Sequence, residues 1–338
     1  MIRILSAFFS LLFLLLNITP APESRRCDPA VKGSFLQSWY CAGWDEERWD
    51  EEIGCLSDAG VEYLILQSTA RLDSEGNWTV SYPSSLQVFD AAPEYDVIEG
   101  ALKSCRAAGI KVFVGLADFD DWWNLCGFSP DYMPVCEVMS DMQREIYETY
   151  APVYGDTLYG WYFVPEIDNV LPMKVSLPAI ARGLNRVLDT ATELDPAMPV
   201  MLSPYYSESM AVPSVLLTLP MWQAFFAMAR FRDGDIFAPQ DAVGAGWTKE
   251  ASLEKVWQMY RCAVDSAKTD IRLWANCENF TATDGGNVPA LPDRFIRQME
   301  TASLYADNII CFSMDHFCTP FTDAAAYAGY LDYISTLE

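Results

Sequence analysis

Eight short apolar runs recur along the chain, each followed by a polar or aromatic turn and then by a stretch with helical spacing. The runs are Gly33–Trp39, Tyr63–Gln67, Lys111–Leu116, Leu158–Val164, Val200–Ser203, Asp235–Ala238, Arg272–Ala275 and Asn308–Phe312. Each is near-continuously apolar, as a parallel strand covered on both faces requires. The spacing predicts helices over Asp45–Ala59, Tyr95–Ala108, Glu137–Tyr150, Ser176–Glu193, Lys249–Ser266 and Pro292–Tyr305. Gly60 and Gly109 stand where a helix end calls for left-handed backbone. Eightfold alternation of strand and helix predicts an α/β fold, a single-domain (β/α)8 TIM barrel. An open doubly wound sheet is the alternative, but no GxGxxG follows the first run.

The N-terminus breaks this rhythm. Arg3 precedes an apolar stretch from Ile4 to Leu16, and Thr19, Pro20 and Ala21 follow. That is the shape of a signal peptide over residues 1–24, cleaved between Ala21 and Cys27, with the barrel domain spanning 27–338. The stretch is short for a membrane span, and an uncleaved anchor is the lesser alternative. A secreted or extracytoplasmic protein is expected, with no integral span after cleavage.

Charge narrows the partners. The 47 acidic residues outnumber the 22 basic ones, for a net charge of −25. Such a surface repels nucleic acid, anionic lipid and polyanionic polysaccharide, leaving a neutral or weakly cationic partner and a monomeric chain as the expectation. Ten cysteines in an exported chain suggest disulfides, with Cys126–Cys136 and Cys311–Cys318 as candidate bridges. His316 is the only histidine, so a zinc centre with two or three histidines cannot be assembled, and no GxSxG elbow is present. Neither a metal nor an organic cofactor is expected.

In such a barrel, chemistry sits where strands run into the following loops. The residues there are Gln37–Tyr40, Gln67-Ser68, Asp118–Trp123, Glu166–Asp168, Ser203–Tyr206, Gln240-Asp241, Asn276–Phe280 and Asp315-His316. Glu166 and Glu278 follow the fourth and seventh runs, on opposite sides of the opening. Glycoside hydrolysis needs two such carboxyls, one to protonate the leaving oxygen and one to attack or to activate water. Trp39, Tyr40, Trp122, Tyr205 and Trp247 offer flat rings to sugar C–H faces, while Gln67, Asp118, Asp241, Asn276 and His316 offer polar groups. Ordinary core packing must account for some of the aromatics. Asp241 is either a water-activating base, a sugar ligand or a turn residue. The Asp118–Asp121 run is either a solvated loop or an acid cluster for a divalent ion. His316 either lines the sugar site or satisfies a loop carbonyl. Asn77 and Asn279 both sit in N-glycosylation sequons, and a glycan on Asn279 would block the opening.

The phrases GWYFVPEID, LSPYYS, IFAPQDAVG and LWANCENF resemble a family of glycoside-hydrolase-like barrels, long catalogued as a domain of unknown function and related to clan A glycoside hydrolases. The similarity covers most of the mature chain. It implies Glu166 as acid/base and Glu278 as nucleophile of a secreted glycoside hydrolase acting on a glycan or oligosaccharide. In one respect the chain departs from the superfamily, which carries Asn before its acid/base to help hold the sugar 2-hydroxyl; here Pro165 stands there. A non-catalytic carbohydrate-binding barrel, or another barrel hydrolase or lyase using Asp241, therefore stays open.

Overall fold

The computed structural model describes residues 25–89, 91–125, 132–170, 175–208 and 215–337. All eight apolar runs form strands: β1 Gly33–Leu36, β2 Tyr63–Leu66, β3 Lys111–Gly115, β4 Leu158–Phe163, β5 Val200–Leu202, β6 Ile236–Phe237, β7 Arg272–Glu278 and β8 Asn308–Phe312. They pair in chain order and close, β8 against β1, into one parallel barrel. Among the described residues eight helices of three turns or more surround it: α1 Glu46–Asp58, α2 Val97–Ala108, α3 Met133–Tyr154, α4 Leu177–Leu194, α5 Val215–Met228, α6 Leu253–Asp265, α7 Pro292–Ser303 and α8 Ala324–Ser335. This is the (β/α)8 TIM barrel that the alternation predicts. Gly60 and Gly109 both take φ +77° at helix ends, as their placement requires. The helical spacing along the chain does not predict α5 and α8. In α5 apolar residues occur on nearly every side and Pro220 sits inside, so no amphipathic period shows.

The period of two along each strand sorts side chains into two cores. Odd or even partners such as Leu64, Val114, Phe163, Leu202, Leu273 and Ile309 face the helices and join the outer shell. Phe35, Ile65, Phe113, Tyr162, Met201, Ile236, Trp274 and Ile310 point inward and fill the barrel. At its lower end the rings of Tyr63 and Trp274 meet at 4.9 Å and those of Phe113 and Tyr159 at 5.2 Å, forming an aromatic floor. The interior is thus solid below, and the hollow lined by Glu166 and Glu278 lies at the end where the strands finish.

Among the described residues all nine cysteines are free thiols, so the expected Cys311–Cys318 bridge does not form. Cys311 packs in the outer shell and Cys318 beside it as small apolar groups, a common use of buried cysteine. Cys126 lies outside the described residues, as do residues 1–24. Among the described residues no helix is long and apolar enough to cross a membrane.

Candidate active site

Continuing the inward parity to the strand ends and up to three residues beyond reaches a cavity of about 330 Å³. Tyr162 and Val164 on β4 lead to Glu166; Met201 leads to Ser203 and Tyr205; Ala238 leads to Gln240; Trp274 leads to Asn276 and Glu278. Parallel bridges Asp168–Tyr205, Tyr205–Gln240 and Gln240–Asn276 carry the barrel pairing up to this level. The wall comprises Gln67, Glu166, Tyr205, Gln240, Asn276 and Glu278, with Trp247, Phe280 and Phe312 around them. No lysine, arginine or histidine is among the described lining residues.

Glu166 is held at both ends. The Trp122 indole N–H donates to its carbonyl oxygen at 2.5 Å, and the Gln240 amide donates to its Oε1 at 2.9 Å. Burial, reinforced by the neighbouring Asp118 and Asp168 charges and opposed by the Gln240 amide, pushes its ionisation up to about 7.

Glu278, across the cavity, is almost fully buried. Its Oε2 accepts the Ala245 backbone N–H at 2.7 Å. Burial first, then the charges of Asp241 and Glu166, hold its carboxyl well above the usual carboxylate range, against Arg294 and the Ala245 N–H. Gly244 must stay bare: a Cβ there would stand 2.3 Å from the Phe280 carbonyl oxygen and 2.9 Å from Glu278 Cβ. Beside Glu278, Asn276 donates to Ser203 Oγ at 3.2 Å, and its Oδ1 meets no partner among the described residues.

Of the residues singled out in the sequence, the structure brings Gln67, Glu166, Tyr205, Trp247, Asn276 and Glu278 to this cavity. It places the others elsewhere. Trp122 is 3% exposed and packs edge-on against Phe119 and Tyr132, so its indole supports Glu166 from the core instead of facing a ligand. Asp118 sits in a small outer strand, Ala117–Phe119, beside Glu166 but outside the lining. Asp241 has the opposite parity to Gln240 and is fully buried behind Glu278. After β1 the chain turns into a short helix, Ser38–Cys41, which carries Trp39 and Tyr40 off the inward register and leaves Trp39 70% exposed.

His316 continues that aromatic group, its ring 4.3 Å from Tyr40 and stacked on Phe312 at 6.0 Å. Its Nε2 is buried without a partner among the described residues, and burial lowers its ionisation to about 4. The ring packs between aromatics and neither lines the cavity nor bonds a loop carbonyl. Asn279, whose glycan would have closed the opening, is buried and so closed to such a modification; Asn77 is exposed.

Two residues acquire roles that the sequence reading did not give them. Gln240 appears there only as a strand-end residue, although its parity with Ile236 and Ala238 points it inward. Gln298 lies on the buried stripe of α7 formed by Phe295, Met299 and Ala302, and a polar residue inside an apolar stripe is its only signal.

Solved structures of the same fold are glycosidases by name. A protein of Bacteroides thetaiotaomicron VPI-5482, provisionally named an alpha-L-fucosidase, superposes with TM-score 0.76 at 19% identity over 95% of this chain and 96% of that one. The intracellular xylanase TsXylA of Thermoanaerobacterium saccharolyticum JW/SL-YS485 gives 0.51 at 12% over 88% and 89%. The family 1 b-glucosidase of Thermotoga maritima gives 0.52 at 10% over 86% and 89%. At these identities the likeness establishes the barrel fold alone. No curated protein sequence matches the chain. A family model described as Domain of unknown function (DUF4434) matches residues 31–324, and the chain belongs to that family.

Proposed function

We propose that the protein is an exported glycoside hydrolase acting on a neutral or weakly cationic glycan, with Glu166 as the acid and Glu278 as the nucleophile or base. One observation carries the reading: the Glu166 and Glu278 carboxyls open onto a single cavity walled by amides and aromatic rings, and burial holds a proton on Glu166 up to about 7. Protonated Glu166 gives its proton to the glycosidic oxygen as the C–O bond breaks. Ionised Glu278 either bonds to the anomeric carbon or takes a proton from the attacking water, and water finally restores both groups. The carboxamides of Gln67 and Asn276 suit sugar hydroxyls, and Tyr205 and Trp247 suit sugar C–H faces. A lining without basic side chains, on a chain of net charge −25, disfavours uronic or sialic acids. The named activities of the solved structures that share this fold support the reaction class, and the Met1–Ala21 pattern supports export.

Purified wild type, Glu166→Gln and Glu278→Gln variants assayed on aryl glycosides and a glycan panel test the assignment. Loss of about 10²–10⁴-fold in each variant is expected; unchanged turnover in both removes it. Pro165, standing where the superfamily carries Asn, favours one second reading, a carbohydrate-binding barrel without catalysis. Calorimetric glycan binding with no release of reducing ends would select that reading.

A further inference from the structure

Asp241 is the acid that the cavity does not use. Its carboxyl is fully buried, and three donors converge on it. The Val243 N–H reaches Oδ1 at 3.1 Å, the Glu278 N–H reaches Oδ1 at 3.3 Å, and the Gln298 amide reaches Oδ2 at 2.5 Å. A turn residue needs only the first of these. The second ties Asp241 to the backbone of the proposed nucleophile. The third comes from α7, and the same Gln298 amide also donates to the Glu278 carbonyl oxygen at 3.1 Å.

The turn that starts at Asp241 then wraps the Glu278 side chain. Ala242 takes φ +54°, a left-handed conformation that an alanine holds only where its surroundings fix it. Gly244 lies against Glu278 Cβ and Oε2, and Ala245 gives its N–H to Oε2. Backbone and carboxyl of Glu278 are therefore gripped by one device whose anchor is the Asp241 carboxylate.

We propose that Asp241 is a positioning residue for Glu278, fixing its carboxyl through the 241–245 turn without itself meeting substrate. Rotating the turn would withdraw the Ala245 N–H, so the geometry depends on the three bonds to Asp241. The Asp241 charge also delays the ionisation of Glu278, because both carboxyls lie in a low-dielectric interior, where like charges a short distance apart resist joint ionisation. The other ionisable groups facing the pair are Glu166 across the cavity, Arg294 from α7, and the Cys277 thiol beside Asp241. Arg294 favours both anions, yet its guanidinium is bound to the Phe280 carbonyl oxygen and to Thr281 Oγ1. This inference rests on the catalytic reading for its purpose and on the packing around Asp241 for its electrostatics.

Its test needs no substrate. In protein carrying 13C-labelled carboxyls, the Glu278 and Asp241 resonances, assigned by their loss in Glu278→Gln and Asp241→Asn, are followed against pH. In the wild type each should titrate in two linked steps. In Asp241→Asn, Glu278 should ionise about one pH unit lower or more. Single, independent titrations in the wild type overturn the proposal even if the variant fails to fold. An unmoved Glu278 midpoint in a folded variant overturns it as well. A linked titration in a chain that cleaves no glycoside keeps this inference and defeats the catalytic reading, so the two failures are distinct.

Discussion

Both amide hydrogens of Gln240 are committed, one to Glu166 Oε1 at 2.9 Å and one to the Ser203 carbonyl oxygen at 3.1 Å. The side chain cannot flip without losing both bonds, so it presents a fixed donor to Glu166. That donor favours the ionised carboxylate. Gln240→Leu should therefore raise the Glu166 ionisation further, by roughly one pH unit if a hydrogen bond to a charged group is lost. The Glu166 carboxyl titration, followed by 13C NMR, should move up by that amount. A midpoint that stays in place would separate Gln240 from the titration of Glu166.

The raised ionisation of Glu166 also has a cost in stability. The folded state keeps a proton up to about 7, whereas the unfolded chain releases it near 4.5. Folded protein thus binds more protons between those values, and this group's contribution to stability falls as pH rises through that window. Glu166→Gln removes the loss. Its Tm should match the wild type near pH 4 and exceed it at pH 8, and thermal melts at both values check this.

Gly244→Ala probes the grip on Glu278. The added methyl has no room against the Phe280 carbonyl oxygen, a backbone atom that cannot turn aside. A destabilisation of about 1–3 kcal/mol in urea unfolding is expected, with turnover falling by more than KM rises. A variant as stable and as active as the wild type would show that the turn tolerates displacement.

A second acidic pair lies outside the cavity. Glu52 on α1 and Asp315 after β8 are both fully buried, and each has one oxygen without a partner among the described residues. Ser34 donates to Asp315 at 2.8 Å and Arg48 to Glu52 at 2.5 Å. Burial raises both carboxyls, and Asp315 raises Glu52 further, so their joint contribution to stability falls as pH rises above the usual carboxylate range. Asp315→Asn keeps an acceptor for Ser34 and removes one charge. It should stabilise the fold at pH 8 and leave it unchanged near pH 4; equal stability at pH 8 would mean that the pair is compensated.

The barrel was legible because eight buried parallel strands leave eight apolar runs, and nothing else in the chain imitates that pattern. α5 escaped because a helix apolar on every side has no period to read. Within the site, Glu166 and Glu278 stand out as acids closing apolar runs. Asp241 and Gln240 differ only in parity, which the adjacent strand residues encode: Ile236, Ala238 and Gln240 face inward, and Asp241 does not. Trp39 and Trp122 misled because an aromatic at a strand end looks the same whether it meets a ligand, solvent or the core. Gln298, 20 residues beyond Glu278, meets it only after α7 folds back onto the barrel.

The interlocked rings of Tyr63, Phe113, Tyr159 and Trp274 leave the hollow with one doorway. A polymer cannot be threaded through the molecule from end to end. Under the proposed hydrolysis a glycan would be reached either at a terminus lowered into the well or where it lies across the rim, and the released sugar would depart by the route along which fresh water must arrive.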